Sequence, residues 1–75
     1  MSAFGVVLFH TTSAAMRAEK VLGRAGVAAK LVPVPRHLSS DCGVALRFLL
    51  VDRQLVLALL EEARVEMVGI DRLEL

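Results

Sequence analysis

The chain has a single cysteine, so no disulfide can form within it. With only two histidines beside that cysteine, and no two ligands at finger spacing, a closed structural zinc site would have to recruit carboxylates. Tryptophan and tyrosine are missing and there are three phenylalanines, fewer aromatics than a base-stacking platform uses. Neither sign of charge dominates: nine Lys and Arg against eight Asp and Glu leave +1, too weak a field to draw nucleic acid or an anionic membrane surface. No apolar run approaches the ~20 residues of a membrane span. The opening Met1-Ser2-Ala3-Phe4-Gly5 lacks the basic region of a signal peptide. A cytoplasmic protein with a reduced thiol is expected. There is no glycine-rich phosphate loop and no Cys-x-x-Cys, so neither a nucleotide site nor a thioredoxin-like redox pair is indicated. No cofactor and no metal are expected.

Hydrophobic residues make up 56% of the 75, which excludes a disordered tail and predicts a single domain over residues 1–75. A chain this short buries only about 60% of the surface its unfolded form exposes. Its stability margin is thin, and self-association is the expected support.

Ala3 to Phe9 is a short run rich in β-formers that stops at the polar cluster His10-Thr11-Thr12-Ser13, which predicts a buried strand and then a helix start capped by Thr12 or Ser13. From Ala14 to Ala25 the period is helical: Ala15, Ala18, Val21, Leu22 and Ala25 share one stripe, while Arg17, Lys20 and Arg24 share the solvent face. That basic stripe could also dock an acidic partner. Gly26 stands where a left-handed helix end is wanted. Ala28 to Val34 predicts a second strand, its far end confined by Pro33 and Pro35 to an edge or an exit. The stretch Arg36 to Gly43 is polar and turn-rich. Val44 to Val51 predicts a third strand, with Arg47 interrupting one of its faces. Asp52 is placed to cap a second helix over Arg53 to Ala63, and Glu66 to Ile70 predicts a fourth strand before a tail from Asp71. The order βαββαβ points to an α+β, ferredoxin-like sandwich: an antiparallel sheet with two helices on one face. Within the second helix, Leu55 to Leu60 is apolar all round, more than a sheet needs from one helix, so a homodimer through its outer side is expected.

Cys42 is the one residue whose neighbours suggest chemistry. Ser39, Ser40, Asp41 and Gly43 make its surroundings a loop, so the sulfur is expected near solvent. The thiolate is the reactive form, with a reference pKa near 8.5 that cations and amide donors lower. Arg36 and His37 supply nearby positive charge, the serine hydroxyls and the Gly43 amide can donate hydrogen bonds, and Asp41 opposes them. His37 is a candidate base for Cys42. His10, at the end of the first strand, is a second candidate site residue. A metal site from His10, His37 and Cys42 would need three separate segments to converge.

The run from Lys30 to Phe48, with its core Pro33-Val34-Pro35-Arg36-His37-Leu38-Ser39-Ser40-Asp41-Cys42-Gly43, resembles the signature of the selenium/sulfur (Se/S) carrier-like family of small bacterial proteins. The resemblance extends upstream through Phe9-His10-Thr11-Thr12 and Ala18-Glu19, and downstream through Asp52 and the Leu-rich helix to Gly69-Ile70. It implies a chain that carries sulfur or selenium as a persulfide or perselenide on Cys42, passed between donor and acceptor proteins. It further implies that Ser39, Ser40, Gly43 and Arg36 support that loop. Other small sulfur carriers place a Cys-Pro-x-Pro motif at a helix start, which this chain lacks. A carrier of this kind needs docking more than rate acceleration and is not by itself an enzyme. The alternative from another class is a small ligand-sensing or oligomerisation module in which the Leu-rich helix does the work and Cys42 is incidental. A cysteine hydrolase would need a positioned base and an oxyanion hole that so small a chain has little room to enclose.

Overall fold

The first apolar run has no alternation because its strand is covered on both sides. In the computed structural model, which describes residues 3–34, 38 and 43–73, strand β1, Phe4–Leu8, is interior to the sheet, with Gly5 to Leu8 all buried. Helix α1, Thr12–Arg24, follows. Its cap is Thr11, one residue earlier than expected: Thr11 keeps an extended backbone and its Oγ1 accepts from the Ala14 amide at 3.1 Å. Thr12 and Ser13 are already helical and no longer free to take that role. The basic stripe Arg17, Lys20 and Arg24 is exposed as expected, but Arg17 is also committed. Its Nη2 donates to the Ala63 carbonyl at 2.9 Å, satisfying an orphan acceptor at the end of the other helix.

Strand β2, Ala29–Pro33, and strand β3, Val44–Leu49, pair antiparallel, with Pro33 opposite Val44. The third strand stops two residues before Val51, because Leu50–Asp52 form a single 3₁₀ turn whose Leu50 amide bonds back to the Ala3 carbonyl at 2.9 Å. Helix α2, Arg53–Glu62, starts directly from that turn. Asp52 stands at its N-cap position, yet its side chain makes no capping bond, since its backbone belongs to the 3₁₀ turn. Strand β4 is Gly69–Leu73, displaced from the expected Glu66–Ile70 into the supposed tail. Its pairing with β1 decides this: Gly69 meets Leu8 and Leu73 meets Phe4, and polar Asp71 and Arg72 are tolerated because β4 is an edge.

Both helices end in the same way. Gly26 (φ 77°) and Arg64 (φ 57°) take left-handed backbones, and the next residues, Val27 and Val65, bond back to Leu22 and Leu60 and are buried with them. The glycine was legible from the sequence; an arginine in the same role was not.

The sheet order is β2-β3-β1-β4 with every neighbouring pair antiparallel, and both helices lie on one face. This is the α+β, ferredoxin-like arrangement. On the helix face Val7, Leu46 and Phe48 pack with Ala15, Ala18, Leu22, Val56 and Leu60. On the opposite face a smaller cluster forms around Val6, Leu8 and Ala45.

Candidate functional site

Antiparallel pairing gathers three connections at one end of the sheet. β1 leaves it at Leu8, β3 enters it beside Ala45, and β4 enters it at Gly69. The Val68 amide bonds to the Leu8 carbonyl at 2.7 Å and draws the α2–β4 connection to the same end. Phe9 turns into the core, which brings His10 out to an exposed position next to the Thr11 cap. The β1–β3 register ends with Leu8 opposite Ala45. His10 and Gly43 therefore both lie just beyond this end of the β1–β3 pair.

Gly43 closes the base of the segment that carries the cysteine: its carbonyl accepts from the Val34 amide at 3.4 Å. It is exposed, and a Cβ built on it would meet nothing within 4 Å. Cys42 itself, Arg36, His37, Ser39, Ser40 and Asp41 lie outside the described residues, so the roles expected for them rest on the sequence. Of the expected site residues, His10 and Gly43 are the two that the fold places, and it places them at the same end. Two of the three residues weighed for the metal site that was not expected, His37 and Cys42, also lie outside the described residues.

One residue of this segment has a structural role that sequence reasoning missed. Leu38 is half-buried against Val6, Leu8 and Ala45, on the sheet face away from the helices. It tethers the segment between β2 and β3 near its middle. The available signal was that Leu38 is the one aliphatic side chain between Arg36 and Gly43.

A four-stranded antiparallel sheet with two helices on one face, and a cysteine in the connection between its second and third strands, defines a small α+β protein with a single thiol between β2 and β3. The chain belongs to the family described as Putative Se/S carrier protein-like, which it matches over residues 4–71. Among curated proteins and among solved structures, none matches it. Among the described residues, no helix is long and apolar enough to cross a membrane.

Proposed function

We propose that the chain, acting as one domain over residues 1–75, carries sulfur or selenium on Cys42 as a persulfide or perselenide and passes it between a donor and an acceptor protein. The family match carries this reading, because residues 4–71 take in the whole signature around Cys42. In the loading step the Cys42 thiolate attacks the outer chalcogen of a donor persulfide or perselenide. A bond from Cys42 to that atom forms as the donor's bond to it breaks, and the donor sulfur leaves with the electron pair as a thiolate. Unloading is the same displacement: an acceptor thiolate takes the outer atom and Cys42 leaves as thiolate. No external oxidant or reductant is consumed, and the chain is a carrier rather than an enzyme.

Ser39, Ser40 and the Gly43 amide are the proposed donors to the anion, and Arg36 its positive charge. The exposure of Gly43 supports this, since a partner's cysteine has to reach the residue next to it in the chain. His37 and His10 are the proposed proton-moving groups, His10 favoured by its exposure beyond the end of β1 where Gly43 leads into β3. The site of action is the reducing cytoplasm. The active form is a homodimer through the outer side of the Leu55–Leu60 helix, a reading favoured by the exposure of Leu55 and Ala58.

Loading is tested with a radiolabelled persulfide donor, measuring label released from the protein by reductant. The parent is expected to take up label and Cys42→Ser none, since Cys42 is the only thiol. Equal labelling of the two proteins overturns the proposal.

A further inference from the structure

The sheet face away from the helices divides into two halves. The half nearer the cysteine segment is apolar and occupied by Leu38 against Val6, Leu8 and Ala45. The other half is basic, and no described residue outside the sheet is packed on it. There Lys30 on edge strand β2 and Arg47 on β3 are direct cross-strand partners on the same face. Like charges directly opposite destabilise a sheet. A lone lysine is a common guard for an edge strand, but edge protection does not call for a second cation facing it from the strand inside. Neither cation has a carboxylate partner among the described residues. Asp71 stands in the same cross-strand row beyond Val6, roughly 10 Å from Arg47 at two strand spacings, and its Oδ1 accepts from the Arg72 amide at 2.7 Å. Arg47 is held in place nonetheless: its guanidinium carbon lies 4.7 Å from the centre of the Phe4 ring. Lys30 and Arg47, with the apolar Phe4 and Leu49, are among the residues that line an open cavity of about 240 Å³.

We infer that this basic half of the open sheet face is the docking surface for an acidic segment of the donor or acceptor protein, seated beside the Leu38-tethered segment that carries Cys42. The inference rests on the carrier reading, which requires a partner to be held while the chalcogen passes. Charge complementarity selects the occupant: carboxylates satisfy the opposed cations, and an apolar side chain between them covers Phe4 and Leu49. The rival basic surface, Arg17-Lys20-Arg24, is less free to dock because Arg17 is already bonded to Ala63.

The test is an amide chemical-shift titration of the full chain with a synthetic peptide of six glutamates ending in leucine. Shifts are expected at Phe4, Lys30, Arg47 and Leu49. Affinity should fall at least tenfold in Lys30→Glu, and further in the double variant with Arg47→Glu. Lys30 is exposed on an edge strand, so its substitution leaves the core intact and keeps the test valid if Arg47→Glu folds poorly. Shifts confined to Arg17, Lys20 and Arg24, no shifts, or the same shifts produced by inorganic phosphate alone would each overturn the inference. The peptide titration repeated on Cys42→Ser separates the two proposals. Docking without sulfur loading in the parent removes the carrier reading, while loading without peptide binding removes only this surface.

Discussion

Phe48 and Phe9 are the largest side chains buried in the core, and Phe48 needs room on both sides of its strand. Its cross-strand partners are Gly5 on β1 and Ala29 on β2, the smallest residues available. The ring lies over Gly5: a Cβ there would be 2.6 Å from Cζ and about 3 Å from both Cε atoms. With Phe48 only 1% exposed, the ring cannot swing aside into solvent. Gly5→Ala is therefore expected to destabilise. Overpacking costs typically 1–3 kcal/mol, more than the ~0.5–1 kcal/mol that alanine gains over glycine in a strand. Urea unfolding should show a lower midpoint at unchanged slope, and Gly5→Ala with Phe48→Leu should recover part of the loss. A midpoint equal to the parent's would mean the ring repacks freely.

The segment between β2 and β3 is anchored at two places among the described residues. Its base is the Val34–Gly43 hydrogen bond and its middle is Leu38 on the open sheet face. Because Leu38 is half-buried, Leu38→Ala should cost roughly 1–2 kcal/mol, below the 2–5 typical of a full core truncation. If the tether also sets the surroundings of Cys42, the pH profile of its alkylation should move toward that of denatured protein in Leu38→Ala and return in Leu38→Met. A stability loss with an unchanged profile would reduce Leu38 to packing alone. Gly26 was readable as a helix end from its position after an apolar stripe, whereas the loop expected around Cys42 lies outside the described residues. The fourth strand was misplaced by three residues, because Asp71 and Arg72 read as a tail until an edge position and a partner on β1 are known. Thr11 was passed over as a cap in favour of its neighbours, since Thr11, Thr12 and Ser13 offer similar side chains and only the backbone angles distinguish them.

At the scale of the molecule, α2 divides its apolar residues between two uses. Val56 and Leu60 are fully buried against the sheet, whereas Leu55 is 50% exposed and Val51, just before the helix, 88% exposed. Leu55 and Val51 are spaced four residues apart, with Ala58 one turn on and also exposed, so the outer side carries an apolar strip that a second copy would cover. The parent should sediment as a dimer over a wide concentration range, with a melting temperature that rises with concentration. Val51→Lys with Leu55→Glu should give a folded monomer. A parent that is monomeric throughout would leave the strip without this role.

Element types and their order follow from local chemistry: periods of two and 3.6, Gly26 after the first helix, and prolines that end the second strand. The one thiol and the residues around it belong to the same local information, as does the family. Tertiary structure alone decided the register, and with it which distant residues meet. Gly5 sits beneath Phe48, Lys30 opposes Arg47, Arg17 reaches Ala63, and Leu38 lands on Val6, Leu8 and Ala45. The reason is that a side chain's periodicity reports only the face it takes on its own element. Which strand lies alongside, and at what offset, is settled by packing between segments tens of residues apart.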